Sequence, residues 1–137
     1  MKKHSILLVE DDELDIISFR RSLKQLGSEY ELHTAYNGKE ALSYLSNNKE
    51  ADKPDVILLD IHVKPFTGFE MLEMLRQSEH FAGTKIVALT ASVMNEEVLQ
   101  LKESSFDGCL SKPVDSDIFP DLLSQIVEGE EIWRITS

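Results

Sequence analysis

Four kinds of polar side chain stand at or just beyond the ends of apolar runs in this sequence. Glu10-Asp11-Asp12 follows Ile6-Leu7-Leu8-Val9, and Asp60 follows Val56-Ile57-Leu58-Leu59. Thr90 follows Ile86-Val87-Ala88-Leu89, and Lys112 stands two residues beyond Cys109-Leu110. Clustered carboxylates repel unless a cation lies between them, and oxygen-only ligands favour Mg²⁺ over softer metals. A hydroxyl and an ammonium opposite such a cation are what a phosphoryl group needs to be held and its charge neutralised. One carboxylate can itself be the nucleophile, giving an acyl phosphate.

Each residue also has an ordinary reading. An acidic trio after a strand often starts a helix, where carboxylates complement the dipole. An Asp after an apolar run is commonly a cap or turn residue, a Thr in Leu-Thr-Ala an N-cap, and a Lys before proline a solvated charge. All four at successive strand ends would be a poor coincidence.

The elements that must position these groups follow from periodicity. Short apolar runs rich in β-formers alternate with stretches of helical spacing, the mark of a parallel sheet flanked by helices. Ile6–Val9, Val56–Leu59 and Ile86–Leu89 read as buried strands, and Cys109-Leu110 as a last short one. Tyr30, Leu32, Thr34 and Tyr36 alternate, as expected at a sheet edge. Helical stripes run through Ile16, Phe19, Leu23 and Leu26, stopped by Gly27; through Ala41, Leu42 and Leu45 after Asn37-Gly38; and through Phe69, Leu72 and Leu75 after Gly68. Met94, Val98 and Leu101 mark a short helix, and Ile118, Phe119, Leu122, Leu123, Ile126 and Val127 a final one, with Pro120 tolerable in its first turn. Five strands alternating with five helices, joined by right-handed crossovers, predict a doubly wound α/β sheet. In such a sheet ligands sit beyond the carboxyl ends of the strands, where all four polar groups fall.

The 137 residues suit one domain, and 42% hydrophobic with 28% charged residues is a globular mix. One cysteine, Cys109, excludes an internal disulfide and a multi-cysteine metal site. Lys and Arg number 14 against 25 Asp and Glu, so the net charge is −11 and nucleic acid is not expected as a direct partner. No apolar run approaches the ~20 residues of a membrane helix. The start, Met1-Lys2-Lys3-His4, lacks a signal-peptide pattern. A cytoplasmic protein without membrane contact is expected.

The four segments Ile6–Asp12, Asp55–Asp60, Leu89-Thr90-Ala91 and Leu110-Ser111-Lys112-Pro113 resemble the motifs of response-regulator receiver domains. Asp60 to Thr90 is 30 residues and Thr90 to Lys112 is 22, and Gly68 stands eight residues after Asp60, as in that family. The resemblance covers residues 5 to about 128. It implies a flavodoxin-like (βα)5 fold with strand order 2-1-3-4-5. It also implies a receiver domain over 1–128, with 129–137 as a C-terminal tail and no output domain. Asp60 would be the phosphoacceptor. Asp11 would bind Mg²⁺ directly, Glu10 through water, and the backbone carbonyl of His62 would be a further ligand. Thr90 and Lys112 would contact the phosphoryl oxygens, and Lys112-Pro113 is a candidate cis bond. His62 and Ser92 would flank the site and tune the phosphate's lifetime. The loop from Ser46 to Pro54 and the tail Glu131-Ile132-Trp133 resemble phytochrome-associated single-domain regulators.

Besides His62 and Ser92, two positions depart from the family pattern. Lys64 stands where a proline is usual, with Pro65 one later. Cys109 occupies the position of the aromatic that moves inward on activation. His62 replaces the second aspartate that haloacid-dehalogenase-type phosphatases use as acid/base, which weighs against that enzyme. The resemblance implies a single-domain response regulator of a two-component phosphorelay, fed by a sensor histidine kinase or phosphotransfer protein. It would be a phosphoacceptor that can catalyse its own phosphorylation and dephosphorylation, not an enzyme acting on other substrates. Output would be protein contact, of which a homodimer is one form. A pseudo-receiver that no longer takes phosphate is the alternative, kept by Lys64 and Cys109. His4, His33 and His80 read as surface residues, Met71 and Met74 as helix core or boundary, and Trp133 as a cover for the sheet end or a dimer contact.

Overall fold

The computed structural model describes residues 4–25, 30–47, 53–63, 67–77, 81, 83–91, 95–112, 114 and 117–134. Gly27, most of the loop before the third strand, Lys64, Pro65, His80, Ser92, Met94 and Pro113 lie outside the described residues, and with them the candidate cis bond.

The chain runs β1 (His4–Val9), α1 (Glu13–Lys24), β2 (Tyr30–Ala35), α2 (Gly38–Asn47), β3 (Val56–Asp60) and α3 (Gly68–Arg76). It continues through β4 (Lys85–Thr90), α4 (Asn95–Glu103), β5 (Gly108–Ser111), α5 (Phe119–Val127) and β6 (Ile132–Arg134). All strands are parallel, in the order β2-β1-β3-β4-β5-β6. The expected order 2-1-3-4-5 is present, with one strand more.

The central strands are apolar throughout because helices cover both faces. Alternation then splits each strand between two cores. Ile6 and Leu8 join Leu58, Val87 and Leu89 under Ile16 and Phe19 of α1 and Phe119 and Leu123 of α5. Leu7 and Val9 join Ile57, Leu59 and Ile86 under Leu45 of α2, Met71 and Leu75 of α3 and Leu101 of α4. Pro120 lies in the first turn of α5, where its missing amide leaves no intrahelical bond unmade. Met71 is buried and Met74 packs at the margin of the core.

A sixth strand, one more than the five expected, lies within the C-terminal segment. Gly129, at φ 105°, follows the C-cap of α5. Its amide donates to Ile126 and that of Glu130 to Gln125, closing the helix in a Schellman turn that sends the chain back along the sheet. Ile132, Trp133 and Arg134 then pair with Gly108, Cys109 and Leu110. Gly108 permits this approach: a Cβ there would lie 2.5 Å from the Ile132 carbonyl oxygen. Trp133 packs against the core cluster that includes Cys109, so it covers the end of the sheet.

Candidate functional site

Parallel strands deliver their last residues to one rim, and β1, β3, β4 and β5 end there in polar groups. Glu10 stays in the sheet one residue beyond β1, its amide donating to the Ala35 carbonyl at 3.0 Å, and its side chain is fully buried. Asp60, the last residue of β3, is 4% exposed. Thr90, the last of β4, is buried and in register with Ser111 of β5. Its carbonyl accepts the Lys112 amide at 2.7 Å, which fixes where the lysine stem begins.

Lys112 reaches across the rim. Its Nζ donates to Glu10 Oε2 at 2.9 Å and to Asp60 Oδ2 at 3.1 Å, and lies 3.4 Å from Asp15 Oδ2. Asp60 Oδ1 accepts the His62 amide at 2.9 Å, so both oxygens of the acceptor candidate have donors. His62 is thus at the rim with its amide turned to Asp60. At the start of α3 the Gly68 amide donates to the Ile61 carbonyl at 3.0 Å. A Cβ on Gly68 would stand 2.5 Å from Ile61 Cα, so the glycine lets α3 seat against the residue next to Asp60.

The acidic trio divides its work. Asp12 is the N-cap of α1, its carboxylate accepting from the amides of Leu14 at 2.9 Å and Asp15 at 3.1 Å. The helix-start reading therefore holds for that residue. Glu10 and Asp11 do something else. Ligand atoms of Glu10, Asp11 and Asp60 lie within 4.8 Å of one another, with Asp11 exposed at the mouth. All three are hard oxygen donors, and the cluster fits a small divalent cation.

The electrostatics fit the same reading. Burial, opposed by the Lys112 hydrogen bond and reinforced by the Asp60 charge, raises the Glu10 carboxyl from 4.5 to about 7. Burial alone would depress the Lys112 ammonium. Its bonds to Glu10 and Asp60 outweigh that and hold it above the ordinary lysine range. The rim thus keeps its cation, while Glu10 holds its charge less readily than an exposed carboxylate.

Residues 6–124 match the model of the response regulator receiver domain family. The chain belongs to that family. A two-component response regulator of Legionella pneumophila is 32% identical, with a TM-score of 0.77 over 92% of this chain and 98% of that one. The bacteriophytochrome response regulator RtBRR is 30% identical, with a TM-score of 0.75 over 92% of this chain and 78% of that one. A polar-differentiation response regulator of Brucella anthropi is 29% identical over 110 residues, 80% of this chain and 85% of its own length. Receiver domains are the phosphoacceptor modules of two-component signalling.

Among the described residues, Glu10, Asp11, Asp60, His62, Thr90 and Lys112 lie at one rim of the sheet, and Ser92 lies outside the described residues. Asp15 was not foreseen. A signal was available: it lies in the first turn of α1, the helix that starts directly after Glu10-Asp11-Asp12. Among the described residues no helix is long and apolar enough to cross a membrane. His4 and His33 are half-exposed beside Asp55 and Glu31.

Proposed function

We propose that this receiver domain is a cytoplasmic phosphorylation switch that takes a phosphoryl group on Asp60 with Mg²⁺ bound. The donor is a sensor histidine kinase or phosphotransfer protein. The observation that carries the reading is the shared lysine: Nζ of Lys112 lies 3.1 Å from Asp60 Oδ2 and 2.9 Å from Glu10 Oε2, beside a carboxylate cluster whose ligand atoms lie within 4.8 Å of one another.

Asp11 and Asp60 would hold the ion directly, with Glu10 behind them and the His62 carbonyl completing the protein's share. When bound, Mg²⁺ supplies positive charge against the transferred group. An Asp60 oxygen attacks phosphorus, the P–N bond to the donor imidazole breaks as the P–O bond forms, and the electron pair leaves with the imidazole. The His62 amide keeps the carboxylate plane fixed through Oδ1 during that approach. Lys112 moves its hydrogen bond from Asp60 to a phosphoryl oxygen, so its charge follows the developing one. Thr90 offers a hydroxyl from the neighbouring strand end to a second oxygen. Output is a change of protein contact, a homodimer included.

Incubation with Mg²⁺ and acetyl phosphate, followed by mass mapping, tests this. One phosphoryl group should appear on Asp60 and disappear with Asp60→Asn or with a chelator. Labelling elsewhere, or none with Mg²⁺ saturating, would reject it in favour of a binding module that no longer takes phosphate.

A further inference from the structure

We infer that Asp15 is a positioning residue for Lys112: a second anchor that holds the ammonium at the rim while it exchanges Asp60 for a phosphoryl oxygen. This rests on the reading of Asp60 as acceptor.

A lysine ammonium has three hydrogens and no acceptor. At Lys112 three carboxylates surround it, Glu10 at 2.9 Å, Asp60 at 3.1 Å and Asp15 at 3.4 Å. They are not equivalent. Glu10 and Asp60 are buried at the strand ends, while the Asp15 side chain is 30% exposed on α1. The Lys112 stem is confined, with its amide bonded to Thr90 and its side chain 12% exposed, so the head group can pivot only within the rim. Beside it lies a cavity of about 20 Å³ between α1 and α5, bordered by Asp15, Ser18, Ser22, Lys112 and Phe119. That is room for the head group to shift, or for one water, on the Asp15 side.

Transfer requires such a shift. A hydrogen bond from Lys112 draws electron density from Asp60 Oδ2 and weakens it as a nucleophile, and an ammonium that leaves it needs a partner throughout, because an unpaired charge under this much protein is costly. Glu10 cannot serve alone, since it also faces the cation site. Asp15 belongs to no other pairing among the contacts described, and it lies in the first turn of α1 on the Lys112 side of the cavity. Charge and position both suit it to keep the lysine in reach of the acceptor without occupying the acceptor.

The test measures the rate of acetyl phosphate labelling and Mg²⁺ affinity in Asp15→Ala, Asp15→Asn and Asp15→Glu. Asp15→Ala and Asp15→Asn should slow labelling about three- to tenfold, between the effect of an exposed ion pair and of a buried charged hydrogen bond. Mg²⁺ affinity should move less than about twofold, because the side chain is partly exposed to screening ions. Asp15→Glu should recover most of the rate. A second readout needs no chemistry: the Lys112 ammonium ¹H–¹⁵N signal, sharp when its protons are held, should broaden in Asp15→Ala. Unchanged labelling in Asp15→Asn, or a loss of Mg²⁺ affinity as large as the loss of rate, overturns the inference. Absence of Asp60 labelling in the unsubstituted protein instead overturns the acceptor reading, and the ammonium signal then still decides whether Asp15 holds Lys112.

Discussion

Both ends of the sheet carry polar networks, part-exposed at one end and largely buried at the other, and only one of them is out of balance. At the amino end Arg76 of α3 donates to Asp107 at 2.6 Å, to the Ser105 carbonyl at 3.0 Å and to the Thr84 carbonyl at 3.4 Å. Asp107 also accepts the Ile86 amide at 2.8 Å, which extends the β4–β5 ladder by one residue. One cation meets one anion there, and the rest are backbone groups. At the carboxyl end one ammonium serves Glu10, Asp15 and Asp60, with Asp11 close by. The first network is complete as it stands and staples α3 to the sheet. The second is short of positive charge, which is the condition for taking a metal ion and then a phosphoryl group. Polarity and burial alone do not mark a functional site; an uncompensated charge count does.

The largest effects should follow from removing members of the unbalanced rim. Asp11→Ala is expected to abolish Asp60 labelling while the fold survives, because Asp11 is exposed and holds no core contact. Relief of repulsion should even stabilise the metal-free protein. Lys112→Ala should lose labelling while keeping most of its Mg²⁺ affinity, as parallel titrations of the two variants would show. If both lose metal equally, Lys112 is structural.

The next effect is in pH. Glu10 has a folded-state value near 7 against 4.5 when exposed, so the folded protein binds the extra proton between those limits. Metal-free stability should therefore be highest at the acid end of that window and fall as pH rises through about 7. Mg²⁺ competes with that proton, so its affinity should rise over the same range, by at most about tenfold per pH unit. Denaturant unfolding at pH 5 to 8, with Glu10→Gln as the comparison, reads the slope. Equal slopes in the two proteins would remove Glu10 from the account.

At the balanced rim the effect should be mechanical. Arg76→Ala should cost about 1–2 kcal/mol of stability, the scale of a charged hydrogen bond lost from a partly exposed site, with labelling unchanged. A slower labelling rate there would mean that the two rims communicate.

How far the sequence reveals this depends on what each residue does. Ile6–Val9, Val56–Leu59 and Ile86–Leu89 are fully buried, so uninterrupted apolar runs announced the strands. Because those runs end where the sheet ends, the site was legible as the polar residue after each. β6 was harder. Three residues give no period, and Gly129 followed by alternating Ile132, Trp133 and Arg134 reads as a strand only once an open β5 edge is known. Asp15 escaped because an acid in a first helical turn already has a sufficient explanation. Asp12 has only that explanation, and nothing in the trio's composition separates it from its neighbours.

The smallest effect belongs to Cys109. It is fully buried and in register with Trp133, so the aromatic ring of this region sits on the neighbouring strand. Aromatic burial would supply roughly 2 kcal/mol of bias, of which a cysteine offers a fraction. The signal is therefore expected to run through the backbone after Thr90 into α4. Cys109→Tyr should leave labelling within about twofold while altering partner or dimer binding and Trp133 emission. Changes confined to Cys109, with silent α4 amides, would exclude the backbone route.

Mg²⁺ titration followed by backbone amide shifts tests the contrast between the two ends most directly, since it observes both rims in one sample. Saturable shifts at Asp11, Asp60, His62 and Thr90, with Arg76 and Asp107 unmoved and the response lost in Asp11→Ala, are the expected result. No saturation at the carboxyl end, or equal shifts at both ends, would contradict the claim that charge imbalance makes that rim the site.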